Sequence, residues 1–179
     1  MSVDKEKRIF YINNDIDESL GELCFDLLCL IRKDDKDEKN IKDFKRKPIR
    51  LYVQSYGGDI YSMWALIDII LSSKTPVYTY CTGYAMSAGF KIFLAGEKRF
   101  ISKHAVLMYH QLSGWNWGKY KDLKENMDEL KIEQEAIEDY VASRTKISKK
   151  ELKKIRETKK DFYIRADKAI ELGVAHEVI

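Results

Sequence analysis

The 179-residue sequence has little net charge and no long apolar run, and each shortage excludes a class of protein. Lysine and arginine number 32 against 29 acidic residues, so the formal net charge is +3. The lysines alternate with acids instead of forming a basic stripe, and we therefore expect no nucleic-acid partner. No apolar run reaches the roughly 20 residues that a membrane-spanning helix requires, so we expect no membrane association.

Cysteine is also scarce, and a secretory signal is missing. Cys24, Cys29 and Cys81 are odd in number and fall within apolar patterns, which predicts buried free thiols rather than a disulfide framework. The charged N-terminus, residues 1–8, leads directly into a strand without an apolar core or cleavage site, and this predicts a cytoplasmic protein. Residues 1–179 suit a single domain, and we expect neither a cofactor nor a metal site.

Three strand–turn–helix units follow one another in the first half of the chain and predict a mainly parallel α/β sheet. Between the first two units, the segment 32–47 is almost entirely charged or polar and predicts a solvated surface loop. Two further short strands are predicted just after the middle of the chain. The predicted strands span 8–12, 48–54, 76–81, 100–101 and 105–109, and the predicted helices span 15–31, 60–71 and 88–95.

The second half of the chain is dominated by one long charged helix, predicted at 119–145. Its apolar residues form a stripe too sparse for a core helix, which predicts a partner surface, most simply another subunit. A capping box at Ser148 and Glu151 predicts a short helix, and another is predicted at 166–172 before a terminal strand at 174–179. The stripe comprises Leu123, Met127, Leu130, Ile137 and Val141.

Ser87 lies in the small-residue segment 83–89, between a β-rich run and an apolar helical run. A serine on a tight strand-to-helix turn needs close backbone approach, which small neighbours permit, and the next amide then points outward as an anion donor. Ser87 is therefore a candidate nucleophile. The alternative is a packing turn of small residues with no chemistry.

A serine hydroxyl needs an adjacent base, and imidazole suits that role near neutral pH. His110 ends an apolar strand, whereas His104 lies in a polar turn and His176 in the last strand, so His110 is the best candidate base. Its alternative is a hydrogen-bonded histidine at the core edge. A backbone amide freed at the Gly57-Gly58 corner could join the amide after Ser87 in an oxyanion hole, although an ordinary turn is the better explanation of these glycines taken alone. Spacing does not select the orienting acid among 29 candidates.

Four segments, in this order and at comparable spacing, resemble the caseinolytic protease proteolytic subunit (ClpP) family. That family carries an N-S-P-G-G corner, a G-x-A-x-S-x-G turn, an M-x-H-Q strand end and a D-x-F segment near its C-terminus. The resemblance covers roughly residues 8–179. The corresponding segments here are 54–58 (QSYGG), 83–89 (GYAMSAG), 108–111 (MYHQ) and 161–173 (DFYIRADKAIELG).

The resemblance implies a ClpP/crotonase-like spiral of βα units with a protruding handle helix, the handle region being about 112–145. It implies an ATP-dependent Clp-type serine endopeptidase that cleaves protein or peptide substrates inside homo-oligomeric, heptameric rings stacked in pairs. By that match Ser87 is the nucleophile, His110 the base and Asp161 the acid that orients it. The match also implies an oxyanion hole from the amides of Gly58 and Ala88, and substrate binding by Gly57, Gln111, Ser113 and Gly114.

The sequence also departs from the family pattern. Tyr56 and Leu112 replace family prolines, and the charged segment 32–47 is longer than the family loop. About seven residues precede the first predicted strand, which argues against docking of an AAA+ unfoldase and favours a phage-type or tailless relative. Trp115 and Trp117 fall where the family places a Gly-rich substrate-pairing strand, and they are candidates for substrate or subunit contacts.

Two other functions are consistent with the residues. A crotonase-fold acyl-CoA enzyme would use paired backbone amides to hold a thioester enolate and would need no serine nucleophile. A catalytically silent ring subunit would keep the site in sequence but not in geometry, because a displacement of about an ångström can cost a hundredfold in rate.

Overall fold

The computed structural model describes residues 1–113 and 118–179, and it has an α/β fold built on two sheets. The α/β prediction is confirmed. The strands are β1 (Ser2–Asp4), β2 (Ile9–Ile12), β3 (Ile49–Val53), β4 (Val77–Cys81), β5 (Tyr84–Met86), β6 (Lys98–Ile101), β7 (Val106–Tyr109), β8 (Phe162–Arg165) and β9 (Glu177–Val178). The helices are α1 (Leu20–Asn40), α2 (Ile60–Ser72), α3 (Ala88–Leu94), α4 (Tyr120–Arg144), α5 (Lys149–Thr158) and α6 (Ala166–Glu171).

The larger sheet has the order β1-β2-β3-β4-β6-β9. Its strands β2, β3, β4, β6 and β9 are parallel to one another. Alternate residues of β3, Ile49, Leu51 and Val53, are buried, as expected when one face of the sheet packs on helices. The smaller sheet has the order β5-β7-β8, with β5 parallel and β8 antiparallel to β7. The sequence analysis missed β1, β5 and β8, which are three or four residues long and lie in segments that gave no separate strand pattern.

The prediction of a surface loop over 32–47 is wrong for its first half, because α1 continues to Asn40. Asp34 extends the buried face of α1 and accepts hydrogen bonds from the guanidinium of Arg8 at 2.6 and 3.1 Å and from the Thr75 hydroxyl at 2.7 Å. The sequence analysis took Asp34 for a solvent-exposed residue and therefore ended this helix too early. Arg46 lies in the segment that connects α1 to β3, and it forms ion pairs of 2.7 Å with Asp35 and Glu38 of the helix.

The cysteine prediction is correct for two of the three thiols. Cys24 and Cys81 are buried, and burial raises their pKa to about 11 and about 12, so both stay protonated thiols near neutral pH. Cys29 is exposed, which corrects the expectation of a buried thiol there. It lies on the solvent side of α1, whose buried stripe contains Leu27 and Leu30 instead.

The long charged helix is present as α4, and its two halves have different surroundings. Ile137 and Val141, in the C-terminal half, are buried in the core, so the prediction that the whole stripe awaits a partner is wrong for them. In the N-terminal half, Tyr120 is 81% exposed and Met127 61% exposed. Only this half is left with apolar side chains in solvent.

Arg99 joins three parts of the chain that are distant in sequence. Its buried guanidinium donates to the carbonyl oxygens of Val174 at 2.7 Å, Gly173 at 2.9 Å, Arg144 at 3.1 Å and Gly96 at 3.2 Å. Because a buried charge is costly unless its donors are satisfied, these carbonyls hold the end of α4 and the segment before β9 against β6. Within the described ranges, no helix is both long and apolar enough to cross a membrane.

Candidate active site

Ser87 occupies a strained turn between β5 and α3. Its backbone has φ 50° and ψ −118°, a conformation that residues other than glycine rarely adopt. The turn is held on both sides, since the Ser87 amide donates to the Met108 carbonyl at 3.0 Å and its carbonyl accepts from the Lys91 amide at 3.3 Å. A serine on a strained strand-to-helix turn is the local geometry of an exposed nucleophile.

The glycine corner after β3 packs directly against this turn. A Cβ atom on Gly57, whose φ is 119°, would lie 2.6 Å from the Ser87 Cβ and 3.1 Å from the Ala88 amide nitrogen. A Cβ on Gly58, whose φ is 141°, would meet the Ile16 carbonyl oxygen at 2.1 Å. Both positions therefore require glycine, for conformation and for space.

The oxyanion donors predicted from sequence are free to bind a ligand. Among residues 1–113 and 118–179, the amides of Gly58 and Ala88 donate to no acceptor, whereas the Gly57 amide is held by the Ser55 hydroxyl at 3.1 Å. Ser55 also fixes the corner to β5, because its carbonyl accepts from the Met86 amide at 2.9 Å. Two free amides on adjacent corners are the donors that an oxyanion requires.

His110 is brought to Ser87 by strand register. Met86 of β5 pairs with Met108 of β7 in parallel, so the residues just beyond the two strands emerge side by side. The Nε2 atom of His110 lies 2.8 Å from Oγ of Ser87, which is hydrogen-bond distance. An imidazole in this contact is within reach of the hydroxyl proton, as a general base must be.

Asp161 lies opposite His110 but is not bonded to it. Tyr109 of β7 pairs with Phe162 of β8 in antiparallel register, so the next pair outward is His110 and Asp161. Among the hydrogen bonds of the described residues, none joins the Asp161 carboxylate to the imidazole, and the Asp161 side chain is exposed. The structure thus brings Ser87 and His110 together and leaves Asp161 adjacent.

The surroundings of His110 favour its neutral form. Its pKa is lowered, first by burial and second by the positive charge of Lys91, while the Asp161 carboxylate acts in the opposite direction. A lower pKa keeps the imidazole free to accept a proton at and below neutral pH. The other two histidines lie elsewhere: His104 is in an exposed turn, and His176 accepts the Arg99 amide at 3.0 Å through Nδ1.

The segment after His110 borders an open groove of about 510 Å³ whose lining includes Gln111, Ser113, Met127 and Leu130. The Leu112 amide between the two polar residues is bound by Oε1 of Gln134 on α4 at 2.8 Å. Gly114, Trp115 and Trp117, which the sequence analysis also assigned to this region, lie outside the described residues. Within the ranges that are described, no cluster of three or more His, Cys, Asp or Glu side chains is arranged to hold a metal ion.

Comparison with known protein families identifies the family of this chain. The family model for Clp protease matches residues 2–179, nearly the whole chain. The chain belongs to the Clp protease family. Membership makes the protein a peptidase and confirms the ClpP resemblance. A curated relative, ATP-dependent Clp protease proteolytic subunit 2 of Treponema pallidum (strain Nichols), is 36% identical over 137 residues, which is 74% of this chain and 67% of the relative.

Two residues beside this Clp protease site were missed by the sequence analysis. Gln134 is buried on α4 and donates to the Tyr109 hydroxyl at 3.4 Å and to Glu138 at 3.0 Å, in addition to holding Leu112. Its position in a charged helix gave no signal. Lys91 is buried on α3, and here a signal existed, because it is the one charged residue in the apolar segment 88–94.

Proposed function

We propose that this Clp-family peptidase is a serine endopeptidase in which Ser87, His110 and Asp161 form a catalytic triad. The observation that carries the proposal is the 2.8 Å contact between Ser87 Oγ and His110 Nε2 at a strained strand-to-helix turn. Asp161 is the orienting acid because it faces His110 across the β7–β8 register and its charge favours the imidazolium form.

The reaction follows from these positions. Ser87 Oγ attacks the scissile carbonyl carbon while His110 Nε2 takes the hydroxyl proton, and the carbonyl oxygen becomes an oxyanion that the Gly58 and Ala88 amides stabilise. The imidazolium returns its proton to the leaving amine as the C–N bond breaks, which leaves an acyl-enzyme. Water, deprotonated by the same imidazole, then hydrolyses the ester and restores Ser87.

Peptide binding is proposed along the segment that follows His110. Gln111 and Ser113 line the groove, and the apolar side chains of Met127 and Leu130 on its α4 side offer contacts for substrate side chains. Gly57 would bring its backbone to the peptide at the other edge of Ser87, and Gly114 would extend the binding segment. An extended peptide paired by main-chain hydrogen bonds matches this arrangement.

The site is proposed to lie inside a chamber formed by two stacked heptameric rings of this chain. The exposed apolar residues on the N-terminal half of α4, Tyr120, Met127 and Ile132, support burial of this handle in an assembly. Sedimentation velocity measures the assembly mass directly. A protein that stays monomeric at micromolar concentration would contradict the ring proposal. It would leave the proposed role of Ser87 unaffected.

ATP dependence is proposed only for folded substrates. The Treponema relative is named an ATP-dependent Clp protease subunit, and this name favours dependence on ATP, against the doubt about an AAA+ unfoldase that the sequence analysis raised. Peptide-bond hydrolysis by the triad itself consumes no nucleotide. Short peptides would therefore be cleaved by the protein alone, whereas folded protein would be degraded only with a Clp-type ATPase and ATP.

The test of the proposed function is covalent labelling of Ser87 with a fluorophosphonate. We expect one label per chain on the purified oligomer, mapped by peptide mass to Ser87 and absent from Ser87→Ala. Ser143→Ala, which removes an exposed serine on α4, is the matched control and should label like the unmodified protein. Labelling that persists in Ser87→Ala would contradict the assignment of Ser87 as the nucleophile. A lack of labelling in the unmodified protein would contradict it as well.

The same labelling separates the alternative functions. A crotonase-like acyl-CoA enzyme would not be labelled at Ser87, and the family assignment already favours the peptidase. A silent ring subunit would assemble but would neither be labelled nor hydrolyse a fluorogenic peptide above the Ser87→Ala background.

The low pKa of His110 predicts the pH dependence of hydrolysis. We expect kcat/KM to fall on acidification as His110 takes a proton, with a midpoint below the ordinary histidine value of 6.5. His104→Gln, which removes an exposed histidine, should leave the profile unchanged. A rate that stays flat from about pH 5 to about pH 8 would show that His110 is not the base.

A further inference from the structure

Lys91 is a charged residue placed in the apolar interior behind the candidate nucleophile. It is 1% exposed, and its amide donates to the Ser87 carbonyl at 3.3 Å, which places it one helical turn after Ser87 on α3. Lysine is almost never fully buried without a carboxylate partner. None of the ion pairs among residues 1–113 and 118–179 involves Lys91, so a purely structural role does not explain it.

The side chain of Lys91 reaches toward the strand that carries His110. Its Nζ lies over the ring of Tyr109, 5.7 Å from the ring centroid, and Tyr109 immediately precedes His110. The segment is fixed from α4, because the Tyr140 hydroxyl donates to the Lys91 carbonyl at 3.1 Å. The ammonium is therefore held over the Tyr109 ring by rigid elements, and the aromatic face stabilises its charge.

The titratable groups packed around Lys91 supply no compensating negative charge. Burial is the main cause of the raised pKa of Tyr109, to about 12, and of the raised pKa of Tyr140, so both phenols are neutral near neutral pH. Glu138 on α4 forms an ion pair with the Arg156 guanidinium at 2.9 Å and accepts a hydrogen bond from the Gln134 side chain at 3.0 Å.

Two further acids face the region from other elements. Asp161, before β8, is exposed and raises the pKa of His110, and its charge is screened by water. Asp68 on α2 acts on Tyr140, raising the pKa of that phenol, and is not among the charges that shift the pKa of His110. Lys91 is therefore the dominant buried charge near the imidazole.

Lys91 is charged over the whole range in which His110 titrates. Burial lowers the pKa of Lys91 to about 8, whereas the pKa of His110 lies below 6.5. In the poorly polarisable interior, a fixed ammonium opposes the formation of a second cation nearby much more strongly than it would in water.

We propose that Lys91 is a positioning residue that holds His110 in its neutral, proton-accepting form. The proposal rests on the function proposed for Ser87 and His110, and it assigns Lys91 a role in setting the pH range of that function. Lys91 acts on His110 through the charge of its ammonium, and its hydrogen bond to Ser87 joins main-chain atoms only. Removing the charge makes the imidazole bind its proton more tightly, so the enzyme loses activity earlier on acidification.

The experiment compares the unmodified protein with Lys91→Met and Lys91→Arg. Methionine keeps the length of the side chain and removes the charge, whereas arginine keeps the charge. Rates of peptide hydrolysis and of fluorophosphonate labelling are measured from about pH 5 to about pH 9. At the pH where the unmodified protein keeps half its plateau rate, Lys91→Met should keep clearly less than half, and Lys91→Arg should keep about half.

The titration of His110 itself provides a readout that needs no activity. In protein carrying isotope-labelled histidine, the Cε1–H signal of His110 should shift its midpoint to higher pH in Lys91→Met. Lys98→Met is the matched control, because Lys98 also lies over a tyrosine ring, 5.5 Å from the centroid of Tyr78, but is exposed. Lys98 lowers the pKa of His176, so that control should shift His176 and leave His110 in place.

The outcomes separate the two proposals. A His110 midpoint that is identical in Lys91→Met and in the unmodified protein overturns the role of Lys91, whatever the activity. A shifted midpoint together with an unlabelled Ser87 supports the electrostatic role and overturns the proposed peptidase chemistry. A Lys91→Met protein that is less active at every pH without a displaced acid limb identifies Lys91 as a packing residue and also overturns the proposal.

Discussion

Replacing Ser87 with alanine is expected to reduce kcat for peptide hydrolysis by about a million-fold, which is below detection in an ordinary fluorogenic assay. The reason is that the acyl-enzyme route depends on one oxygen atom, and the His110 base 2.8 Å away has nothing to activate once that oxygen is gone. Binding of the peptide should persist, because the groove lined by Gln111 and Ser113 is untouched. Hydrolysis and peptide binding, the latter by fluorescence anisotropy, are measured on the same preparation.

Ser143→Ala is again the control, and it should hydrolyse peptide at the unmodified rate. The assembly mass of Ser87→Ala should also match that of the unmodified protein. Retention of even a hundredth of the unmodified rate by Ser87→Ala would contradict a serine mechanism, because the oxyanion amides and binding alone leave far less.

Gly57→Ala should reduce hydrolysis at least about a hundredfold, although residue 57 carries no reacting atom. The added methyl would lie 2.6 Å from the Ser87 Cβ, so either the nucleophile or the glycine corner must move. The positive φ of 119° adds backbone strain of order 1 kcal/mol or more, so the melting temperature should also fall. Hydrolysis and thermal unfolding are measured together.

Gly21→Ala provides the matched control for this substitution. Gly21 lies in the first turn of α1, a Cβ there meets no atom within 4 Å, and alanine should stabilise the helix by roughly 0.5–1 kcal/mol with no change in rate. A folded Gly57→Ala protein that hydrolyses peptide at the unmodified rate would show that the corner does not position Ser87.

The sequence was informative about the candidate site where the chemistry depends on residue type. A serine among small residues, a histidine at a strand end and a double glycine are each visible as letters, and their strands proved to be neighbours. The contact between Ser87 and His110 could not be read from spacing, because it depends on the register of β5 against β7, and β5 is too short to show a pattern. The same holds for Asp161, whose place follows from the pairing of β7 with β8.

Two buried charges are among the features that the sequence analysis missed. Asp34 read as a solvent-exposed residue and was assigned to a loop, yet it lies inside α1 and is satisfied by Arg8 and Thr75. Lys91 was not singled out, although it is the one charged residue in the apolar segment 88–94. Hydropathy assigns each charged side chain to water, whereas the partners that make burial tolerable come from distant parts of the chain.

The bonds of Arg99 bear on the order in which the chain can become native during its synthesis. The carbonyl oxygens of Arg144 and Val174, which the guanidinium requires, are 45 and 75 residues further along the chain. A ribosome synthesises the chain from the N-terminus at about 5–20 residues per second. Arg99 therefore emerges several seconds before the last carbonyl oxygens that it binds. The parallel sheet can form early around β2, β3 and β4, but the region around β6 becomes native only after residue 174 has left the exit tunnel.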